Sequence, residues 1–251
     1  MNTVAVEHSS PNTAKVFKIE WNLGKRCNFN CSYCDEWTHD NKSPHMEFEV
    51  AKRFVDKIVD KMPNKEFKIN FTGGEPCVNP NFEKMVDYMW DKGIAIGVTT
   101  NGSRTYDYYA KILPKLSSIN FSYHMEYHKR KVLPETIVKL SNLAKQQDRY
   151  IHLHVHMMML PTMFEEAKQT IKYLQENDVH VVMRRIRPAR IKNHPDSVKN
   201  DKGQLISGPI APPFFDGVVT QQIGADGCPY YGGDEGYYSA DEIKYLESMN
   251  V

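Results

Sequence analysis

Short apolar runs alternate with helix-forming segments along most of this chain, and this alternation limits its fold more than any other feature. The apolar runs begin near residues 16, 67, 94, 118, 151 and 179. Between the first two, apolar residues recur every three or four positions, a spacing typical of an amphipathic helix. Strands that alternate with helices at this interval form right-handed βα units around a parallel sheet. The sequence therefore predicts an α/β fold of six such units, too few for a closed eight-stranded barrel.

Local patterns predict three finer features. The helix expected over residues 81–92 should bury Trp90 as part of its apolar stripe. Thr162 with Glu165 matches a capping box at the start of the fifth helix. Residues 214–219 are predicted to form a hairpin that turns at an Asp-Gly pair.

Composition excludes several classes of protein. With 41% hydrophobic and 25% charged residues, the chain has the balance of an ordinary globular protein. A net charge of +1 does not favour nucleic acid as a partner. No apolar run approaches the ~18 residues that a membrane-spanning helix needs. Five cysteines, three of them crowded together, argue for a reducing cytoplasm rather than a secreted disulfide framework. We interpret the other two, Cys77 and Cys228, as small buried hydrophobic residues.

Three cysteines with the spacing C-x3-C-x2-C directly follow the first apolar run: Cys27, Cys31 and Cys34. Thiolates select iron–sulfur clusters, zinc or copper(I). A 4Fe–4S cluster normally takes four cysteines, so three cysteines would leave one iron open for another ligand. A structural zinc site needs four closed ligands, and His39 could supply the fourth. The spacing alone leaves both metal centres open.

The cysteine motif resembles the signature of the radical S-adenosylmethionine (radical SAM) enzymes, C-x3-C-x-aromatic-C, with Tyr33 at the aromatic position. The resemblance covers about residues 16–184. It implies that the three cysteines hold a 4Fe–4S cluster whose open iron chelates S-adenosylmethionine. It also implies a partial (β/α)6 TIM-like barrel, which agrees with the count of six βα units.

The chain divides into three predicted regions. Residues 1–15 are polar, lack the apolar segment of a signal peptide and are expected to form a flexible tail. Residues 16–187 form the partial barrel. Residues 188–251 form an irregular Gly/Pro-rich extension, since the last 67 residues hold 14 of the 28 glycines and prolines. We expect this extension to cover or flank the barrel mouth.

The second strand ends at Thr72-Gly73-Gly74-Glu75, and active groups of parallel βα folds gather at such strand ends. Paired glycines allow a backbone to approach a ligand closely, and Glu75 can orient the neighbouring strand end. The run resembles the GGE motif of the radical SAM family. That resemblance implies contact with the methionine amine of S-adenosylmethionine.

Two further strand ends supply candidate cofactor contacts. Thr100, Asn101 and Ser103 lie in a segment that resembles the family's TNG segment, although it could equally be a turn that caps the next helix. Ser122 and His124 lie where related enzymes place contacts to ribose or carboxylate groups. The resemblance therefore implies that these five residues bind the cofactor.

Two basic sets follow on the fifth and sixth strands. Alternate residues of a strand share one face, so three histidines of the fifth strand lie on the same side: His152, His154 and His156. They are either packed and hydrogen-bonded there, or they form a zinc trio that has no carboxylate or cysteine nearby in sequence. Four arginines follow or end the sixth strand: Arg184, Arg185, Arg187 and Arg190. One or two of them could clamp a carboxylate or phosphate, or they could dock the extension.

The resemblance implies an enzyme of the oxidoreductase or transferase class that cleaves S-adenosylmethionine reductively and abstracts hydrogen from a substrate. It would need a low-potential electron donor of the flavodoxin or ferredoxin type. A small and possibly anionic substrate is favoured over a peptide, because Cys228 alone cannot hold an auxiliary cluster in the extension. The alternatives are a peptide-modifying maturase and a non-catalytic, zinc-stabilised binding module. No catalytic side chain is assigned.

Overall fold

The computed structural model describes residues 4–7, 15–34, 39–128, 132–186 and 239–248, together with short strands between 198 and 230. Seven strands form the main sheet: β1 (Val4–Glu7), β2 (Val16–Asn22), β3 (Glu66–Thr72), β4 (Ala95–Thr100), β5 (Ser118–His124), β6 (His152–Met159) and β7 (His180–Arg185). Six helices accompany it: α1 (Phe48–Lys61), α2 (Phe82–Asp91), α3 (Tyr106–Ile112), α4 (Val132–Lys145), α5 (Phe164–Glu176) and α6 (Ala240–Ser248).

Strands β2 to β7 are parallel and lie side by side in chain order, with β1 antiparallel on the outer edge of β2. Each of the first five parallel strands is followed by a helix, as βα units require. Among the described strands, β7 pairs only with β6, so the sheet stays open. The predicted α/β fold of six units in a partial barrel is confirmed.

One face of this sheet forms the hydrophobic core and the other face is polar. On β5, Ile119, Phe121 and Tyr123 are buried, whereas the alternate residues Asn120 and Ser122 point to the opposite face. A parallel sheet covered on both faces usually has nearly continuous apolar strands. The alternation here therefore shows that the inner face is not a second core, and we call it the inner wall.

The predicted tail and extension differ from the structure in part. Val4–Glu7 forms β1, with Val4 opposite Trp21, so this stretch is an edge strand rather than a flexible tail. In the extension, β8 (Val198–Lys199), β9 (Leu205–Pro209) and β10 (Val218–Thr220) pair as one small sheet, and β11 (Gln222–Ile223) pairs with β12 (Pro229–Tyr230). β10 pairs antiparallel with β9, and the hairpin predicted within residues 214–219 falls mostly on residues 214–217, which lie outside the described residues.

Helix α6 fastens the extension to the barrel. The Tyr245 ring packs edge-on against Phe164 at 5.8 Å between centroids. Arg185, at the end of β7, lies 3.6 Å from the Glu247 carboxylate. In the part of the chain that the structure describes, we find no helix with the length and apolar character needed to cross a membrane.

Candidate active site

The segment that leads into the cysteine loop runs alongside the segment that follows β3. The Gly74 N–H donates to the Gly24 carbonyl at 2.8 Å, and the Glu75 N–H donates to the Arg26 carbonyl at 2.8 Å. On its other side the loop is held by a hydrogen bond of 2.6 Å from the Cys27 N–H to the Asp40 carbonyl. The ends of the first two parallel strands are therefore joined directly at the base of the cysteine loop.

The paired glycines are required by this close backbone approach. A Cβ atom on Gly74 would lie 2.3 Å from the Arg26 carbonyl oxygen, far inside van der Waals contact. Gly73 has a φ of +119°, and a Cβ there would lie 2.6 Å from Asn22 Oδ1. The sequence predicted close approach to a ligand; in the structure the chain's own backbone approaches both glycines, and the Asn22 side chain approaches Gly73 as well.

Glu75 links the ends of β3 and β4. Its buried carboxylate accepts hydrogen bonds from the Cys77 N–H at 2.9 Å, the Thr100 hydroxyl at 2.8 Å and the Asn101 N–H at 2.5 Å. Burial raises the pKa of Glu75, and the three donors oppose that shift. The prediction that Glu75 orients the neighbouring strand end is confirmed.

The predicted cofactor residues after β4 are already engaged with the protein. Thr100 is buried and its hydroxyl also lies 2.9 Å from the Tyr109 hydroxyl. The Asn101 amide donates to Asn28 Oδ1 at 2.9 Å and lies 3.7 Å from the Cys27 sulfur. Ser103 donates its N–H to Asn101 Oδ1 at 3.0 Å. The strand end therefore positions the cysteine loop, and Asn101 lies closest to a thiol.

None of the three thiols of the cysteine loop is in a disulfide. Cys31 is buried, and Cys27 and Cys34 are half-buried. The Cys27 sulfur accepts a weak hydrogen bond from the Phe29 N–H at 3.4 Å, and the Cys34 N–H donates to the Cys31 carbonyl at 3.1 Å. Burial, the largest cause, raises the pKa of Cys27.

His124, at the end of β5, contacts the cysteine loop. Its Nδ1 lies 3.4 Å from the Cys31 sulfur and 2.5 Å from the Tyr33 hydroxyl, and the Tyr33 ring stacks on the imidazole. Burial lowers the pKa of His124 to about 4, so the ring is neutral at pH 7. The structure thus brings together two residues that the sequence predicted separately. Ser122 lies two residues earlier on the inner wall, opposite His156.

Sequence reasoning missed the residues that follow His124. The Tyr127 ring stacks on Phe29 with centroids 4.1 Å apart, and its hydroxyl accepts the Asn30 N–H at 2.7 Å. Glu126 accepts the Ser32 N–H at 3.0 Å. The signal was a polar and aromatic run directly after a strand end, in a chain whose other strand ends had already been identified as candidates.

A cavity of about 760 Å³ opens beside the cysteine loop. Its lining comes from the cysteine loop, the β4–α3 loop and the β5–α4 loop, and includes Asn28, Ser103, Arg104, Glu126 and Tyr127. Apolar side chains such as Phe29 and Leu133 line it as well, and Asn28 connects it to the cysteine loop.

The side chains around the cysteine loop do not fit both metal centres equally. His39 Nε2 lies 3.1 Å from Asn30 Oδ1, so its ring is directed to an amide. Within residues that the structure describes, no three or more His, Cys, Asp or Glu side chains converge to hold a single metal ion. The contact of His39 with Asn30 does not favour the zinc tetrad that the sequence left open. Three cysteines on one short loop, none of them in a disulfide, fit a multi-iron cluster with an open site.

The remaining candidates separate clearly. Arg184 Nη2 lies 3.1 Å from His156 Nε2 on the inner wall, whereas Arg185 faces α6. Cys77 is fully buried, as predicted. Arg187, Arg190 and Cys228 lie outside the described residues.

Comparison with known proteins gives one family. The family model described as "Radical SAM superfamily" matches residues 21–186. The chain is 30% identical over 87 residues to an S-adenosylmethionine-dependent nucleotide dehydratase of Selenomonas ruminantium, covering 35% of this chain and 30% of that protein. It is 26% identical over 162 residues to the tungsten-containing aldehyde ferredoxin oxidoreductase cofactor-modifying protein of Pyrococcus furiosus, covering 63% of this chain and 39% of that protein. The chain thus spans about a third of the length of these curated relatives.

A solved structure shares the fold. Native anSMEcpe with bound AdoMet and Cp18Cys peptide superposes with a TM-score of 0.50 at 17% identity, covering 74% of this chain and 54% of that one. At this identity the likeness extends to the fold alone.

Proposed function

The chain belongs to the radical SAM superfamily, whose enzymes use a 4Fe–4S cluster and S-adenosylmethionine, and from this premise we propose that it removes hydrogen from a small anionic substrate. The observation that carries the proposal is the set of three cysteines, none of them in a disulfide, on a loop held against the glycine turn after β3 and against His124 after β5. The working compartment is the reducing cytoplasm, in which such thiols stay available.

Cys27, Cys31 and Cys34 would hold the cluster. When bound, the cluster and S-adenosylmethionine would supply reductive cleavage of S-adenosylmethionine and a radical that takes hydrogen from the substrate. The remaining chemistry is positional. The cofactor-binding set that we propose comprises Tyr33, Thr72, Gly73, Gly74, Glu75, Thr100, Asn101, Ser103, Ser122 and His124.

Within that set, the structure suggests two different tasks. Glu75 and Thr100 are buried and bonded to each other, so they would act by fixing the loops that carry the cofactor. Tyr33 within the cysteine loop is only partly buried, as are Ser103 and His124 beside the loop, so these three would touch the cofactor directly. The His124 ring can accept or donate a hydrogen bond next to the cysteines.

The substrate would lie on the inner wall, close to the cysteine loop. Arg184 supplies a positive charge there, which favours an anionic group. The name of the Selenomonas relative states a nucleotide substrate, which agrees with a small anionic molecule. A peptide substrate is the alternative, and the peptide bound in the anSMEcpe structure is the likeness in its favour. The electron would come from a separate low-potential donor of the flavodoxin or ferredoxin type.

The first experiment measures iron, sulfide and 5′-deoxyadenosine. We expect the chain reconstituted without oxygen to bind about four irons and to form 5′-deoxyadenosine from S-adenosylmethionine and a strong reductant. Cys31→Ala should lose both the cluster and the product. Cys77→Ala, which removes a buried thiol outside the cysteine loop, is the matched control and should keep both. Zinc without iron in the wild-type chain, or a full cluster in Cys31→Ala, would contradict the proposal.

A further inference from the structure

The inner wall of β5, β6 and β7 carries an unusual set of basic and amide side chains. The rings of His152, His154 and His156 follow one another along β6, with centroids 4.6 and 4.9 Å apart. His180 on β7 lies 6.4 Å from the His154 ring. Asn120 on β5 is directly opposite His154 in the sheet register. We call these five residues, with Arg184, the histidine wall.

The hydrogen bonds of His156 fix the orientation of its neighbours. His156 Nε2 lies 3.1 Å from Arg184 Nη2, and His156 Nδ1 lies 2.9 Å from the Asn120 amide nitrogen. A guanidinium only donates, so Nε2 must accept. Burial, with the charge of Arg184, lowers the pKa of His156 to about 4, so the ring is neutral near pH 7 and carries its single N–H on Nδ1.

It follows that the Asn120 amide is flipped, with its oxygen rather than its nitrogen facing His156 Nδ1. An N–H on His156 Nδ1 needs an acceptor, which the Asn120 carbonyl provides once the amide oxygen and nitrogen exchange places. The amide NH2 then occupies the position of Oδ1, which is buried and has no hydrogen-bond partner among the described residues. Asn120 as a whole is 8% exposed. A buried donor without an acceptor therefore points away from His156.

A second buried atom on this wall also lacks a partner. His154 Nδ1 is enclosed and makes no hydrogen bond to any described residue. The inner-wall positions of β5, β6 and β7 contain no Asp or Glu that could serve either atom. Buried polar groups in native proteins are nearly always satisfied by protein, water or a ligand, so these two atoms mark where a bound molecule with acceptors could interact with this wall.

We propose that the histidine wall is the subsite for a diphosphate group of the substrate. This proposal rests on the proposed function, which places the substrate inside the barrel. Arg184 supplies the positive charge, and the Asn120 NH2 and an N–H on His154 supply neutral donors. Arg184 and Asn120 meet opposite nitrogens of one imidazole ring, so a ligand that reaches both must extend past that ring. A diphosphate has this length and oxygen acceptors along it, whereas a single carboxylate has neither.

The test is binding of inorganic pyrophosphate to the reconstituted full chain by isothermal titration calorimetry. Arg184→Gln should weaken binding about tenfold, and Asn120→Asp, which is nearly the same shape but adds a repelling charge, should weaken it at least as much. Arg185→Gln, the next residue along but directed to Glu247, is the control and should bind as tightly as the wild type. Thermal midpoints of all variants show whether each is folded.

Three results would overturn the subsite: unchanged affinity in both Arg184→Gln and Asn120→Asp, equal loss in Arg185→Gln, or tighter binding of succinate than of pyrophosphate. Iron content and 5′-deoxyadenosine formation of the wild-type chain are measured on the same preparations. If pyrophosphate binds as expected but no cluster forms, the proposed function fails and the subsite stands. If the cluster forms and pyrophosphate does not bind, only the subsite fails.

Discussion

Replacing Gly74 with alanine should disturb the cysteine loop more than its single added methyl group suggests. The new Cβ would lie 2.3 Å from the Arg26 carbonyl oxygen and 2.5 Å from the Lys25 carbonyl oxygen. Both contacts are with backbone, which cannot rotate away as a side chain can. The two segments must therefore separate by about 1 Å to restore ordinary contact.

The cost follows from the contacts that hold these segments together. Separation weakens the two hydrogen bonds of 2.8 Å that join Gly74 to Gly24 and Glu75 to Arg26, each of which contributes about 1 kcal/mol. Strain from the added methyl group contributes a further 1–3 kcal/mol, roughly. We expect the free energy of unfolding to fall by about 2–4 kcal/mol, which most domains of this size survive.

The assay combines urea unfolding of the variant with its iron content after reconstitution. Gly93→Ala is the control, because Gly93 has a φ of +71° and its added Cβ would meet nothing within 4 Å. That variant should lose only about 1 kcal/mol from backbone strain and should keep its iron. Since Cys27 directly follows Arg26, Gly74→Ala should lose iron as well as stability. A Gly74→Ala protein with wild-type stability and full iron content would refute the reasoning.

Two other outcomes are expected. Glu75→Gln should lower the free energy of unfolding by about 2 kcal/mol, because the new amide NH2 would face one of the three N–H or O–H groups that now donate to the carboxylate. Urea unfolding measures this change. An equal or higher stability would mean that burying the charge costs more free energy than its hydrogen bonds contribute. Burial lowers the folded-state pKa of His154 and His156 to about 4, so between pH 6.5 and 4 the unfolded chain binds protons that the folded chain does not, and stability should fall as pH falls through this window. Because both rings are partly exposed, we expect the free energy of unfolding to fall by about 2 kcal/mol between pH 7 and 5. In the His154→Asn, His156→Asn double variant, urea unfolding should show a smaller fall over the same pH range.

The parts of the site that depend on local spacing were predictable. Cys27, Cys31 and Cys34 lie within eight residues, and the family that their spacing resembles is confirmed by the family-model match over residues 21–186. The strand ends were also predictable, because hydrophobic runs mark the strands and parallel strands deliver their ends to one edge. Whether the individual strand-end residues bind the cofactor stays a prediction.

Features that depend on distant partners were not predictable. Tyr127 stacks on Phe29 from almost a hundred positions along the chain, and no pattern within either segment contains that pairing. The role of Gly74 depends on the backbone of residues 25 and 26, which reaches it only when β2 and β3 pair. The sequence indicated that small residues were needed there but not which group would approach them.

Local competition explains the errors in secondary structure. The capping box of Thr162 and Glu165 is wrong, because Pro161–Met163 forms a 3-10 turn and α5 begins at Phe164 without a side-chain cap. The similar box of Ser239 and Glu242 does form, with both reciprocal hydrogen bonds present.

Trp90 shows the limit of helical periodicity near a helix end. It is 40% exposed rather than buried, although Met89, its neighbour in the same last turn of α2, is buried. The guanidinium of Arg149 covers its ring at 4.5 Å, so the indole is shielded by a cation instead of by the sheet.

The attachment of α6 has a consequence for how the chain could vary. The extension leaves the barrel after β7 and is fastened again where Tyr245 meets Phe164 and Glu247 meets Arg185, both at the same end of the sheet. A connection whose two ends are fixed so near each other costs little more entropy when it is lengthened, since that cost rises only with the logarithm of its length. Insertions or deletions between these anchor points should therefore leave the strands and the cysteine loop in place. The length of this stretch can then change while the barrel keeps its structure.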